Sequence, residues 1–107
     1  MAVIEWEVSA WAEFSVHVKY AREEYGKKTM NKWLDEIDII YDRLQKYPTS
    51  YTIEQLLKDK PDIYRSCHLM NRRFKLIYYY HEPSDTVYIV DLWDTRMNPE
   101  CLKDRIR

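Results

Sequence analysis

The spacing of hydrophobic positions changes along the chain, and each change marks an element. Residues 3–8 alternate, with Ile4, Trp6 and Val8 on one side and Val3, Glu5 and Glu7 on the other, the two-residue period of a half-buried strand. Ser9 is a candidate N-cap for the next element. Trp11, Phe14, Val18, Ala21 and Tyr25 then recur at spacings of three and four, which predicts a helix with one apolar stripe and with Glu13, His17, Arg22 and Glu24 on its polar face. Gly26, the only glycine in the chain, interrupts this series. Met30, Trp33, Ile37, Ile40, Leu44 and Tyr47 continue at the same spacing but in a shifted phase, so two helices in an antiparallel hairpin are expected, with Gly26 in a left-handed C′ position and Pro48 ending the second.

The pattern weakens from Thr49 to Asp62, where Thr52-Ile53-Glu54-Gln55 fits a capping box and Leu56 and Leu57 fit one short helical turn. Three strand-like runs follow: Ile63 to Met70, Arg73 to His81, and Thr86 to Trp93. Asn71-Arg72 and the segment from Glu82 to Asp85 are hairpin-length connections, so a three-stranded antiparallel meander completing one sheet is predicted. Asn98-Pro99 matches a cap with proline at the first helical position, placing a short terminal helix over Pro99 to Arg107. Alternation puts Phe74, Leu76, Tyr78 and Tyr80 on the helix side of the middle strand. Arg73, Lys75, Ile77, Tyr79 and His81 then face outward, onto a surface expected to be open.

Length and composition narrow this α+β picture to one domain over residues 1–107. Hydrophobic residues are 46% of the chain and aromatics 15%, including ten Tyr and four Trp, which excludes a disordered chain. With 17 basic and 18 acidic side chains, net charge is −1, so attraction to nucleic acid must come from local clustering. Such clustering exists in the second half, in Arg65, Arg72, Arg73, Lys75, Arg96, Lys103, Arg105 and Arg107. Cys67 and Cys101 form no CxxC pair and the three His are dispersed, so no metal and no cofactor are expected, and both thiols read as free and inert. No apolar run approaches the ~20 residues of a membrane span, and the N-terminus has no basic leader, so a cytoplasmic protein is expected.

Tyr64-Arg65, then Phe74-Lys75-Leu76-Ile77-Tyr78, then Val87-Tyr88-Ile89-Val90, and finally Asp94-Thr95-Arg96-Met97-Asn98-Pro99-Glu100 resemble the C-terminal half of RelE/ParE superfamily toxins. The order of strand, helical hairpin and meander resembles that family's fold along nearly the whole chain. The tail Asp94-Thr95-Arg96-Met97-Asn98-Pro99 is similar to the plasmid stabilisation branch. The resemblance implies the toxin of a type II toxin–antitoxin pair, partnered by a cognate antitoxin. It implies either a RelE-like, metal-independent endoribonuclease that cuts mRNA on the ribosome, or a ParE-like inhibitor that binds DNA gyrase; an inactive, antitoxin-binding regulator is a third class. A homodimer or a hetero-oligomer with the antitoxin is compatible with any of these.

By that resemblance Arg65, Lys75 and Arg96 match basic positions of the family and would bind phosphate in a ribonuclease. Cys67 stands where RelE-type sequences carry a second basic residue, and the tail lacks the tyrosine they use nearby. His81 is the candidate replacement for the missing acid or base, because an imidazole titrates near neutrality. Arg72, Arg73 and Tyr79 are the candidate nucleic-acid contacts, Tyr79 by stacking. A plainer reading stands beside each: solvated charges on an open face, a structural pair of Arg96 with Asp94 or Asp91, and a surface imidazole at a hairpin entry.

Overall fold

The structure is a computed structural model that describes residues 1–106. The chain runs β1 (Val3–Trp6), α1 (Val8–Tyr25), α2 (Lys27–Lys46), β2 (Tyr64–Leu69), β3 (Phe74–His81), β4 (Thr86–Asp94) and α3 (Glu100–Arg105), with single 3-10 turns at Gln55–Leu57 and Glu82–Ser84. Arg107, the last position of the predicted terminal helix, lies outside the described residues. The sheet order is β1-β4-β3-β2. The meander is antiparallel as expected, and β1 joins its far edge parallel to β4, the helical hairpin forming the crossover. No described helix is long and apolar enough to cross a membrane.

The main core lies between the hairpin and one face of the sheet. Phe14, Ala21, Trp33, Ile37, Ile40 and Leu44 meet Phe74, Leu76, Tyr78, Val87, Ile89 and Leu92 there. Gly26 joins the two helices at φ 92 and ψ 172, a region that is essentially glycine-only rather than the left-handed helical cap predicted for it. The stripe expected on α1 is rotated: Ala10, Phe14 and Ala21 are the buried positions, whereas Trp11 is 51% exposed and Tyr25 is also outside. Apolar residues occur on more than one side of this helix, so spacing alone could not choose, and the small alanines allow the close approach to the sheet. Ser9 caps nothing. The helix begins at Val8 behind Glu7, with no side-chain cap.

The opposite face departs most from expectation. It is not open: Leu57, Tyr64, Ile77, Val90, Trp93, Leu102 and Ile106 form a second, smaller core. Ile77, predicted to face outward beside Lys75, is 0% exposed. A bulge makes this possible. The register passes from Ile77↔Asp91 to Tyr78↔Ile89, so Val90 is an extra residue and both Val90 and Asp91 turn outward to meet α3. At six residues α3 is too short to hold its own helix. Leu102 and Ile106 anchor it, each burial contributing ~1.5–3 kcal/mol, and the Asn98 Oδ1 accepts from the Glu100 N–H at 3.1 Å.

Residues 52–54 run along the β2 edge. Ile53 bridges to Arg65, and Glu54 N–H donates to the Tyr64 carbonyl at 2.8 Å. Thr52 therefore pairs with the sheet, through its carbonyl and Ser66 N–H, instead of closing a capping box. β2 ends at Leu69, one residue early, and β3 begins at Phe74, one residue late, so their connection has four residues rather than two.

Candidate functional site

The basic residues singled out by the sequence do not assemble on one surface. Arg65 lies opposite Tyr78, on the helix side of the sheet, and its Nη1 donates to the Tyr51 carbonyl at 2.8 Å. Lys75 lies on the other side, where its Nζ meets Glu54 Oε1 at 2.6 Å, with the Ser66 hydroxyl 3.4 Å from the same oxygen. Glu54 is 5% exposed, so Lys75 neutralises a buried carboxylate. His81 sits exposed at the end of β3, its Nδ1 2.7 Å from the Ser84 hydroxyl. Arg96 lies beyond the opposite end, because Phe74 pairs with Asp94 and His81 with Thr86. The eight residues of β3 separate these two by about 23 Å at ~3.3 Å per residue. Arg96 clasps Asp94 with Nε at 3.2 Å and Nη2 at 2.9 Å, the structural pair considered for it. These hydrogen bonds hold the Asp94 carboxyl below its ordinary range.

Two other surfaces carry concentrated chemistry. The first is a cleft of about 560 Å³ on the outer face, lined by Glu7, Asp62, Tyr64, Tyr79, Asp91 and Arg105, with Ser9, Val90 and Ile106. It is acidic rather than cationic. Arg105 gives Asp91 bonds of 2.8 and 2.7 Å and reaches Glu13 at 3.2 Å, which leaves it no free charge. Tyr79 packs edge-on to Tyr64 at 5.6 Å and stacks on Tyr88 at 5.2 Å. Burial first, then the nearby Asp62 carboxylate, push both the Tyr64 and Tyr79 hydroxyls above their usual titration range.

The second surface lies where the helical hairpin meets the β2–β3 connection. Arg73 lines two adjoining hollows there, one with His17, Tyr20, Trp33 and Phe74 and the other with Tyr25, Lys32 and Asn71. Its Nε is buried and, among the described residues, has no hydrogen-bond partner. Met70, Asn71 and Arg72 all have positive φ, at 57, 57 and 64. Such backbone costs ~1–2 kcal/mol per residue outside glycine, and tertiary contacts hold it. Met70 N–H donates to Glu36 Oε2 at 2.9 Å, and the Thr95 hydroxyl lies 3.1 and 2.9 Å from the Arg72 and Arg73 carbonyls. Burial against Phe74 lowers the His17 imidazole, outweighing the opposing Glu13.

Of the predicted residues, Arg72, Arg73 and Arg96 thus belong to one end of the sheet, Tyr79 to the acidic cleft, and Arg65, Lys75 and His81 each to a different place. His17, Glu54, Asp91 and Arg105 are legible in the sequence only as a polar-face residue, part of a capping box, a possible partner of Arg96 and one cation of a cluster, not as site residues. Only Asp91 leaves a further signal, as a lone carboxylate inside the apolar run from Val87 to Trp93. Cys67 is buried and its thiol is pushed up to about 12 by burial, whereas Cys101 is exposed. Among the described residues, no three His, Cys, Asp or Glu side chains gather as metal ligands.

No protein-family model and no curated protein sequence matches the chain. Three solved structures share its architecture across nearly their whole length. A chromosomal ParDE TA system from P. aeruginosa superposes with a TM-score of 0.65 at 15% identity, covering 88% of this chain and 96% of that one. The isolated E. coli RelE toxin gives 0.61 at 11% identity, covering 99% and 96%. A metal-bound toxin from Helicobacter pylori gives 0.58 at 20% identity, covering 90% and 97%. The chain therefore has the RelE/ParE toxin fold. Identities this low establish the fold and leave the activity to be argued from the site.

Proposed function

We propose that this chain is the toxin of a type II toxin–antitoxin pair and that it acts by binding its target, as a ParE-like inhibitor of gyrase would. A cognate antitoxin in the same cytoplasm is its neutralising partner. The shared fold supports the first part. The second is carried by one observation: Arg65, Lys75, His81 and Arg96 do not converge. RNA cleavage needs a base, cations for the developing charge and an acid within hydrogen-bond reach of one phosphodiester. Residues on opposite faces and opposite ends of the sheet, all four already hydrogen-bonded within the chain, do not offer that arrangement. Inhibition by contact requires no such convergence.

RelE-like cleavage of mRNA on the ribosome keeps one supporting observation: His17 and Arg73 line one hollow, with the Arg96 charge near enough to act on the imidazole. Expression of the chain without its antitoxin separates the two readings. Growth arrest with altered DNA topology and intact transcripts is the expected outcome. Arrest with new 5′ ends inside translated codons, abolished by His17→Ala, would replace binding by cleavage, and unimpaired growth would remove the toxin reading altogether.

A further inference from the structure

We propose that the outer cleft is a receptor for a cationic side chain, an arginine or lysine presented by an extended segment of a partner protein. The cleft crosses the whole sheet, from Glu7 just after β1, over Val90 and Tyr79, to Tyr64 and Asp62 at the β2 edge. Three inter-strand steps of ~4.8 Å make that path about 14 Å, the reach of roughly four extended residues. Its volume of about 560 Å³ accepts a long side chain with flanking backbone.

Charge selects the ligand. Three carboxylates face one guanidinium, and that guanidinium is consumed by Asp91 and Glu13. Among the described residues neither Glu7 nor Asp62 has an ion-pair partner. An independent feature points the same way: Tyr64 is 5% exposed, its hydroxyl makes no hydrogen bond to a described residue and is left open at the cleft it lines, and its ring stands edge-on to Tyr79 beside the stacked Tyr79–Tyr88 pair. Unpaired carboxylates beside tyrosine rings and a phenol oxygen free to accept attract a guanidinium or ammonium and repel phosphate. A nucleic-acid backbone is thereby excluded from this face, and the partner segment that covers it is basic. Nothing in this recognition requires the chain to be a toxin.

Titration of the full chain with tri-arginine amide, followed by aromatic and amide NMR, tests this. Saturable shifts at Tyr64, Tyr79 and Asp62 are expected, with no response to tri-glutamate. Tyr79→Phe should retain affinity within about twofold, while Tyr79→Leu loses about fivefold and Glu7→Gln about threefold. Both Tyr79 variants keep an apolar side chain, and Glu7 is exposed, so a fold defect does not imitate the result. Shifts centred instead on the acidic α2 surface of Asp35, Asp38 and Asp42, or affinity unchanged in Tyr79→Leu and Glu7→Gln, would overturn the assignment.

Discussion

Lys75 is the residue for which a structural and a functional role make opposite forecasts. Its ammonium lies 2.6 Å from a Glu54 carboxylate whose side chain is 6% exposed, against 21% for the lysine itself. At that separation and an effective dielectric of ~20, the gross attraction is ~6 kcal/mol, most of it spent on desolvating the two charges. Lys75→Met keeps the aliphatic stem but leaves the carboxylate buried with only the Ser66 hydroxyl nearby, at 3.4 Å. The expected loss is about 3–5 kcal/mol, a large share of the ~5–15 kcal/mol that stabilises a domain. A drop in Tm of at least ~12 °C follows at ~4 °C or more per kcal/mol. Pairing it with Glu54→Gln removes the stranded charge, and urea unfolding of the double variant should return to within ~1 kcal/mol of the parent. A single variant that loses less than ~1 kcal/mol, or a double variant less stable than the single, would refute the buried pair. Toxicity supplies the second readout. A stable double variant that still arrests growth confines Lys75 to folding, whereas a stable but harmless one returns it to the binding or catalytic surface.

Gly26→Ala should cost ~1–3 kcal/mol in denaturant unfolding, although an added Cβ would meet nothing within 4 Å, because φ 92 and ψ 172 strain any L side chain. Native Cys67 should resist a thiol reagent at pH 8 while Cys101 reacts, and both should react once the chain unfolds. Because the folded value of Cys67 is raised, its contribution to stability is full below the unfolded thiol's ~8.5 and declines as pH climbs beyond it. Asp94 has the reverse sign: its folded value is depressed by Arg96, so stability is present above the unfolded ~3.9 and lost as pH falls through the folded value. Arg96→Ala should move the Asp94 titration upward by NMR. His17, lowered by burial, should titrate below ~6.5, and its burial costs stability as pH falls from above that value toward the folded one.

Local periodicity determined what depends on neighbours a few residues apart. The phase shift at Gly26 separated two helices, alternation placed Phe74, Leu76 and Tyr78 against them, and Asn98-Pro99 marked the last helix. Spacing carries this information because side chains three, four or two residues apart share a face whatever surrounds them. Tertiary structure decided everything that required two distant segments to meet. The extra residue at Val90 turned Asp91 outward, α3 and Leu57 closed over Ile77, and Glu54 arrived from a loop to neutralise Lys75. None of these follows from the pattern of either segment alone. The surface that alternation predicted to be open and cationic became a small covered core beside an acidic cleft, because a free charge on one strand gives no sign of the carboxylate that another part of the chain will bring to it.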